Sequence, residues 1–367
     1  MIHRRKVSDL DFLLNMIGEN IQLSPTQIED VKTKYKIVTN CIEQSSAFYG
    51  NDIDMYSQGS YRIGTTNKPI ARDEYDLDFV LQIDEHRKPT EQDFAIINDL
   101  FDAINNCPAI DGKVELKTRC VRITYKSQFH MDIVPAFKKS TLAEDTSIWI
   151  PDRNQKDWLP SNPIGYSTWF ENQCKKMIVE KTAVFESASV EKLPDDIPFT
   201  DKPVLKRAVQ LVKRLRDVYF QDKAGKLLPK SIILTTLFAE NYIGLQSTYD
   251  VLQGSINYIL GRIAEYNGNP FEVINKSNDN ENLADSLVDS EVFTSFKNFV
   301  NYANKQLIVL SQASGTERRD LLKSLFGEVA LTAINEKANY DIRKQQSEKS
   351  RIIPEVIIPS TQKPYGI

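Results

Sequence analysis

Apolar and polar positions recur with two different periods along this chain, and the change of period divides it. Ile28, Val31, Tyr35, Val38 and Ile42 return at steps of three and four, which predicts a long helix packed along one side through Gln44. Ser24, Pro25 and Gln27 mark its start as N-cap, first helical position and capping-box partner. The period then shortens to two. Asp54 to Ser57, Asp76 to Ile83, Lys113 to Tyr125 and Phe129 to Phe137 read as strands of a mixed sheet, with Phe94 to Asn105 as an intervening helix. Within 113–125 the apolar residues are even-numbered at Val114 and Leu116 but odd-numbered at Val121, Ile123 and Tyr125. That switch predicts one long strand with a β-bulge near Thr118 to Cys120. Lys126-Ser127-Gln128 then turns the chain into its hairpin partner.

Residues 138–165, rich in Pro, Asp, Ser and Asn, read as a long loop carrying Trp149 and Trp158. Beyond it the helical period returns over 163–180, 202–220, 229–243, 248–265, 281–312 with a break, and 316–337. Thr182 to Thr200 is a loop, and 338–367 a charged segment running into a Pro-containing extended tail. The expectation is an α+β protein. Its parts are a sheet-bearing half over 1–160 with N-terminal helices, a helical domain over 161–340 and a tail over 341–367.

Chemistry concentrates at a turn, at two strands and on one helix. Gln58-Gly59-Ser60 reads as a phosphate turn: Gly59 lets the backbone approach an anion, and Ser60 supplies a hydroxyl and an N–H. Tyr75-Asp76-Leu77-Asp78-Phe79 follows. In a strand, Asp76 and Asp78 project to one side while Leu77 and Phe79 point into the core. Two carboxylates sharing a small space repel each other, and Mg²⁺, which takes carboxylate oxygens together with substrate phosphates, offsets that repulsion. A solvated acidic sheet edge is the competing reading; the apolar flanks and the preceding Gly-Ser turn argue against it. Asp132 is a lone acid among Phe129, Met131, Ile133 and Val134, and an unpaired buried carboxylate is expensive, so it is expected to face the same metals. Neighbouring His130 reads equally as a base or as a structural strand residue. On 202–220, Lys213 lies at the border of the apolar stripe.

The Gly-Ser turn, the Asp-x-Asp strand and the later Asp resemble the DNA polymerase β-like nucleotidyltransferases. Within that superfamily they look most like the bacterial cGAS/DncV-like nucleotidyltransferases, which make cyclic oligonucleotide second messengers in anti-phage (CBASS) defence. Further likeness runs through Ile148 to Trp158, Ser161-Asn162-Pro163, Trp169, Leu205 to Phe220, Pro229 to Leu237 and Glu281 to Asp285. The resemblance implies a polymerase β-like mixed sheet completed by a C-terminal helical domain. It implies two Mg²⁺ ions, replaceable by Mn²⁺, on Asp76, Asp78 and Asp132. The nucleotide would be held by Gln58, Gly59 and Ser60, with Lys213 and Ser231 on the triphosphate. It also implies NTP substrates, ATP among them, release of pyrophosphate and a regulatory protein acting at the tail. Ser60 and Asp76 stand farther apart than in the simplest superfamily members, leaving room for an extra turn or hairpin over the nucleotide.

Composition narrows the partners. With 46 Lys and Arg against 50 Asp and Glu, the net charge is −4, which argues against broad nucleic-acid binding. Cys41, Cys107, Cys120 and Cys174 are widely spaced, and the three histidines do not cluster with them, so no zinc site is expected. Together these predict activity without a DNA activator. No stretch suits a membrane span, and the chain reads as cytoplasmic and reduced. Two other functions remain at this level: transfer of a nucleotide to an RNA or protein acceptor, and an inactive fold used as an interaction module. The intact acids and Gly-Ser turn argue against the second.

Overall fold

The computed structural model describes residues 8–350 apart from 71–73, 127–128, 143, 177–197 and 224–226. The expected tail over 352–367, nearly all of the 182–200 loop and the end of the expected 163–180 helix lie outside the described residues. In chain order the elements are α1 (Asp9–Ile21), α2 (Pro25–Glu43), β1 (Ile53–Gln58), α3 (Gly59–Arg62), β2 (Tyr75–Ile83), α4 (Ala95–Asn105), β3 (Lys113–Leu116), β4 (Val121–Tyr125) and β5 (Phe129–Lys138). They continue with β6 (Ile148–Asp152), β7 (Asp157–Ser161), α5 (Pro163–Cys174), α6 (Val204–Phe220), α7 (Ser231–Asn241), α8 (Thr248–Glu265), β8 (Ile274–Asn275), β9 (Asn278–Asn282), α9 (Ser290–Gln312), α10 (Gly315–Phe326) and α11 (Val329–Ser350).

The main sheet has seven strands, with β1-β2-β5-β4-β3 side by side and the β6–β7 pair joined to the end of β5. β2 and β5 run parallel; the other neighbours are antiparallel. One face of the sheet buries Leu77, Phe79, Ile123, Met131 and Ile133 against α2 and α4, whose apolar stripes supply Val31, Val38, Leu100 and Ile104. The capping box at Ser24 and Gln27 closes in both directions. A second apolar cluster gathers α6 to α10 around Leu205, Leu211, Leu237, Phe296 and Phe299, and α1 joins it through Leu14 and Ile17.

Several expected elements differ. The stretch 113–125 is a hairpin, with β3 pairing onto β4 and Lys117 N–H donating to the Cys120 carbonyl at 2.9 Å. The parity switch marks a turn rather than a bulge, because both strands keep their apolar side chains on the same face. The 138–165 loop contains the β6–β7 hairpin. Pro151 is tolerated there because β6 pairs with β5 only at Ile148 and Trp149, so its missing N–H has no partner on that side. The expected 281–312 helix begins only at Ser290, after β9 and a 3-10 turn. The expected 316–337 helix is two helices parted by Gly327 at φ 79°, and the second runs to Ser350 through what was expected to be a charged segment.

The cysteines are also corrected: Cys41 and Cys107 form a disulfide across a Cα separation of 5.9 Å, while Cys120 and Cys174 are free and buried. Sequence spacing hides this contact because the two residues stand 66 positions apart, at the ends of α2 and α4, and meet only when those helices pack on the sheet. No described helix is long and apolar enough to cross a membrane.

Candidate active site

The strand β2 fulfils its alternation. Leu77 and Phe79 are fully buried, while Asp76 and Asp78 project from the opposite face. Parallel pairing with β5 sets Asp78 directly beside Asp132, and Asp76 beside His130. Three carboxylates therefore converge from two adjacent strands. Burial, followed by the charges of Asp132 and Asp76, pushes the Asp78 carboxyl up to about 7. Asp76 opens to solvent inside a walled cleft, and that enclosure also raises its pKa, with Arg122 opposing.

Sequence reasoning missed Arg122. From β4 it grips Asp132 with Nε and Nη2, each 2.7 Å from a carboxylate oxygen, and stands 3.6 Å from Asp76. The fork holds Asp132 in one orientation, and the pairing strongly favours the charged guanidinium. The signal was present: the antiparallel pairing of β4 with β5 sets residue 122 opposite 132, as the turn expected between them implies. Another omission is Glu74, whose carboxylate lies 2.8 Å from His130 Nε2, with the Thr124 hydroxyl 3.1 Å from Nδ1. His130 is held on both nitrogens beside the acids.

The Gly-Ser turn lies against β2. Gly59 has φ 62°, and a Cβ there would stand 2.7 Å from Asp78 Oδ2. A side chain is excluded on both counts, so the backbone passes directly over the carboxylate. Ser60 follows on α3, with its hydroxyl 3.1 Å from that of Thr66. Arg62 fixes this short helix by donating to the Ser57 carbonyl at 3.1 Å and to the Ser167 hydroxyl of α5 at 2.7 Å.

A cleft of about 790 Å³ brings Gln58, Gly59, Ser60, Asp76 and Asp78 from the sheet side together with Lys213 and Ser231 from the helical side. Asp132, on β5 beside Asp78, is not among the residues that line it. Lys213 is more enclosed than a core-border lysine: it is 7% exposed, and its ammonium donates to the Thr65 carbonyl at 2.9 Å. Burial pushes its pKa down to about 8. Ser231 is the first residue of α7, where free N–H groups favour an anion.

The donor set fits a hard divalent cation, since it offers carboxylate oxygens only, and a cation there would relieve the repulsion and burial that raise the Asp78 pKa. The described residues nevertheless contain no ready cage of three or more His, Cys, Asp or Glu side chains. Arg122 accounts for part of this by engaging both oxygens of Asp132.

The family model described as Second Messenger Oligonucleotide or Dinucleotide Synthetase domain matches residues 11–173. The chain is 33% identical over 330 residues to the c-di-GMP synthase of Roseivirga ehrenbergii, covering 87% of this chain and 85% of that protein. It is 28% identical over 243 residues to the cyclic dinucleotide synthase CdnG of Bradyrhizobium diazoefficiens, covering 62% and 57% respectively. The solved structure of B. diazoefficiens CdnG in complex with GTP superposes with a TM-score of 0.73 at 24% identity, over 90% of this chain and all of that one. That likeness establishes a shared fold.

Proposed function

Because this chain belongs to the cGAS/DncV-like nucleotidyltransferases, the family of second-messenger oligonucleotide and dinucleotide synthetases, we propose that its cleft joins two GTP molecules into a cyclic dinucleotide. The observation that carries this reading is the passage of Gly59 over Asp78, with Asp132 at the next strand. A phosphate turn and a carboxylate pair then act on one nucleotide. The choice of guanine follows the names of the relatives, c-di-GMP synthase and a CdnG solved with GTP.

In the proposed reaction, the Gly59–Ser60 backbone and the Ser60 hydroxyl hold the triphosphate, with Lys213 and Ser231 gripping it from the helical side. The ribose hydroxyl of the second nucleotide attacks the α-phosphate in line; the α–β phosphoanhydride bond breaks and pyrophosphate leaves. Repeating the step on the linear intermediate closes the ring. In this reading Asp132, whose carboxylate Arg122 orients, assists removal of the proton from the attacking hydroxyl. Mg²⁺ or Mn²⁺ held by Asp76, Asp78 and Asp132 would neutralise phosphate charge and acidify that hydroxyl. The protein itself contributes alignment, together with charge complementarity from Lys213.

We place the enzyme in cytoplasmic anti-phage signalling, active without a DNA ligand. Incubation of purified protein with each NTP, alone and in pairs, followed by mass spectrometry, tests the reaction. A phosphatase-resistant dinucleotide from GTP alone is expected. Product only with an added RNA or protein acceptor would overturn the reading, and ATP-only products would overturn the base assignment. Double-stranded DNA should leave the rate unchanged; a sample inert until DNA is added would contradict this.

A further inference from the structure

The segment after the phosphate turn is tied to the helical half by a row of side chains on and just ahead of α6. Lys202 Nζ donates to the Gly64 carbonyl at 3.2 Å, Lys213 to that of Thr65 at 2.9 Å, Gln210 Nε2 to that of Thr66 at 2.9 Å and Arg214 Nη1 to that of Lys68 at 3.4 Å. At Asn67 the direction reverses. Its amide donates to the Gln210 backbone carbonyl at 2.8 Å, while its side-chain oxygen accepts from Gln210 Nε2 at 3.3 Å. Gln210 is fully buried and Asn67 half-buried at the cleft wall, so the pair is shielded from water on the Gln210 side.

The row reaches the phosphate turn through Thr66, whose hydroxyl stands 3.1 Å from that of Ser60; Thr65 N–H donates to the Ser60 carbonyl at 2.9 Å. The helix carrying Ser60 spans only four residues, so its placement depends on tertiary contacts rather than on its own hydrogen bonds. A serine hydroxyl also rotates freely unless a neighbour fixes it. We infer that Gln210, paired with Asn67, is a positioning residue for nucleotide binding: it fixes Thr66, and Thr66 orients the Ser60 hydroxyl toward the phosphate site.

The inference rests on Ser60 binding the triphosphate, and a mutant cycle separates the two claims. Affinity for a nonhydrolysable GTP analogue would be measured calorimetrically for Thr66→Val, Gln210→Met, Ser60→Ala and the doubles Thr66→Val/Ser60→Ala and Gln210→Met/Ser60→Ala. Thr66→Val and Gln210→Met should each weaken binding about three- to tenfold. With Ser60 already alanine, the same changes should shift it less than about twofold. Equal losses in both backgrounds, or none in the parent, would overturn the positioning role while leaving Ser60 as a ligand. A Ser60→Ala protein that binds as tightly as the parent would overturn the nucleotide assignment and the positioning role with it. Should Gln210→Met fail to fold, Asn67→Ala, which removes the half-buried partner of Gln210, takes its place in the cycle with the same expected and refuting results.

Discussion

Replacing Gly59 by alanine adds one methyl group and should silence the enzyme while leaving it folded. Two penalties can be separated. The first is conformational: at φ 62° an L-residue carries about 1–2 kcal/mol of strain relative to glycine. The second is local, because the new Cβ would stand 2.7 Å from Asp78 Oδ2, inside van der Waals contact. Asp78 lies in the middle of β2, bonded on both sides, so the turn or the carboxylate must move rather than the strand. A displacement near 1 Å at a reacting centre lowers rate by about 10²-fold. Gly268 supplies the control: its φ is 75°, yet nothing lies within 4 Å of its would-be Cβ. Gly268→Ala should therefore lose a comparable 1–2 kcal/mol in urea unfolding and keep the parental turnover. Measuring product formation and urea midpoints for both variants tests the reasoning. Parental turnover in Gly59→Ala, or equal inactivation by Gly268→Ala, would refute it.

Asp76→Asn, Asp78→Asn and Asp132→Asn should each reduce product by roughly 10²–10³-fold or more without unfolding the chain; parental turnover in the first two would remove the carboxylates from the chemistry. Lys213, with its pKa lowered from 10.5 to about 8, loses its charge as pH rises through 8, so GTP affinity should fall from pH 7 to 9. Over about pH 8 to 10.5 its contribution to fold stability has the opposite sign, since the unfolded chain binds the extra proton and stability rises with pH. Lys213→Met should flatten both trends, and an unchanged affinity profile in that variant would discount the lysine. Thiol titration of the unfolded, unreduced protein should find only Cys120 and Cys174, and reduction should lower stability by up to about 4 kcal/mol for a bridge spanning 66 residues; four titrating thiols would exclude the bond.

The parts of the site that were legible in the chain are those governed by local rules. Asp76 and Asp78 declared themselves through strand parity, and the capping box at Ser24 marked α2, because each depends on neighbours a few residues away. Lys213 and Ser231 came from family resemblance instead, since helical periodicity alone left Lys213 at the core border. Long-range geometry hid the rest. Arg122 is the exception: the expected strand end at Tyr125 and the following turn already set it opposite Asp132, and only the pairing of the two was left unread. The Asn67–Gln210 pair spans 143 positions, and nothing in either local pattern distinguishes it from ordinary polar residues. Prolines misled the reading of 138–165, because a strand paired on one side can carry them where a central strand cannot.

The side-by-side placement of Asp78 and Asp132 has a bearing on when activity can first arise. The two acids belong to parallel strands, and a parallel pair forms only after the intervening chain, here carrying α4 and the β3–β4 hairpin, has looped back. Such non-local pairings must first overcome the entropy of closing the loop. A nascent or partly folded chain could hold the phosphate turn and β1–β2 in place and still lack its third carboxylate. Turnover would then await the docking of β5 and, after it, of the helices that bring Lys213 and Ser231, so that signal synthesis is withheld from incomplete molecules.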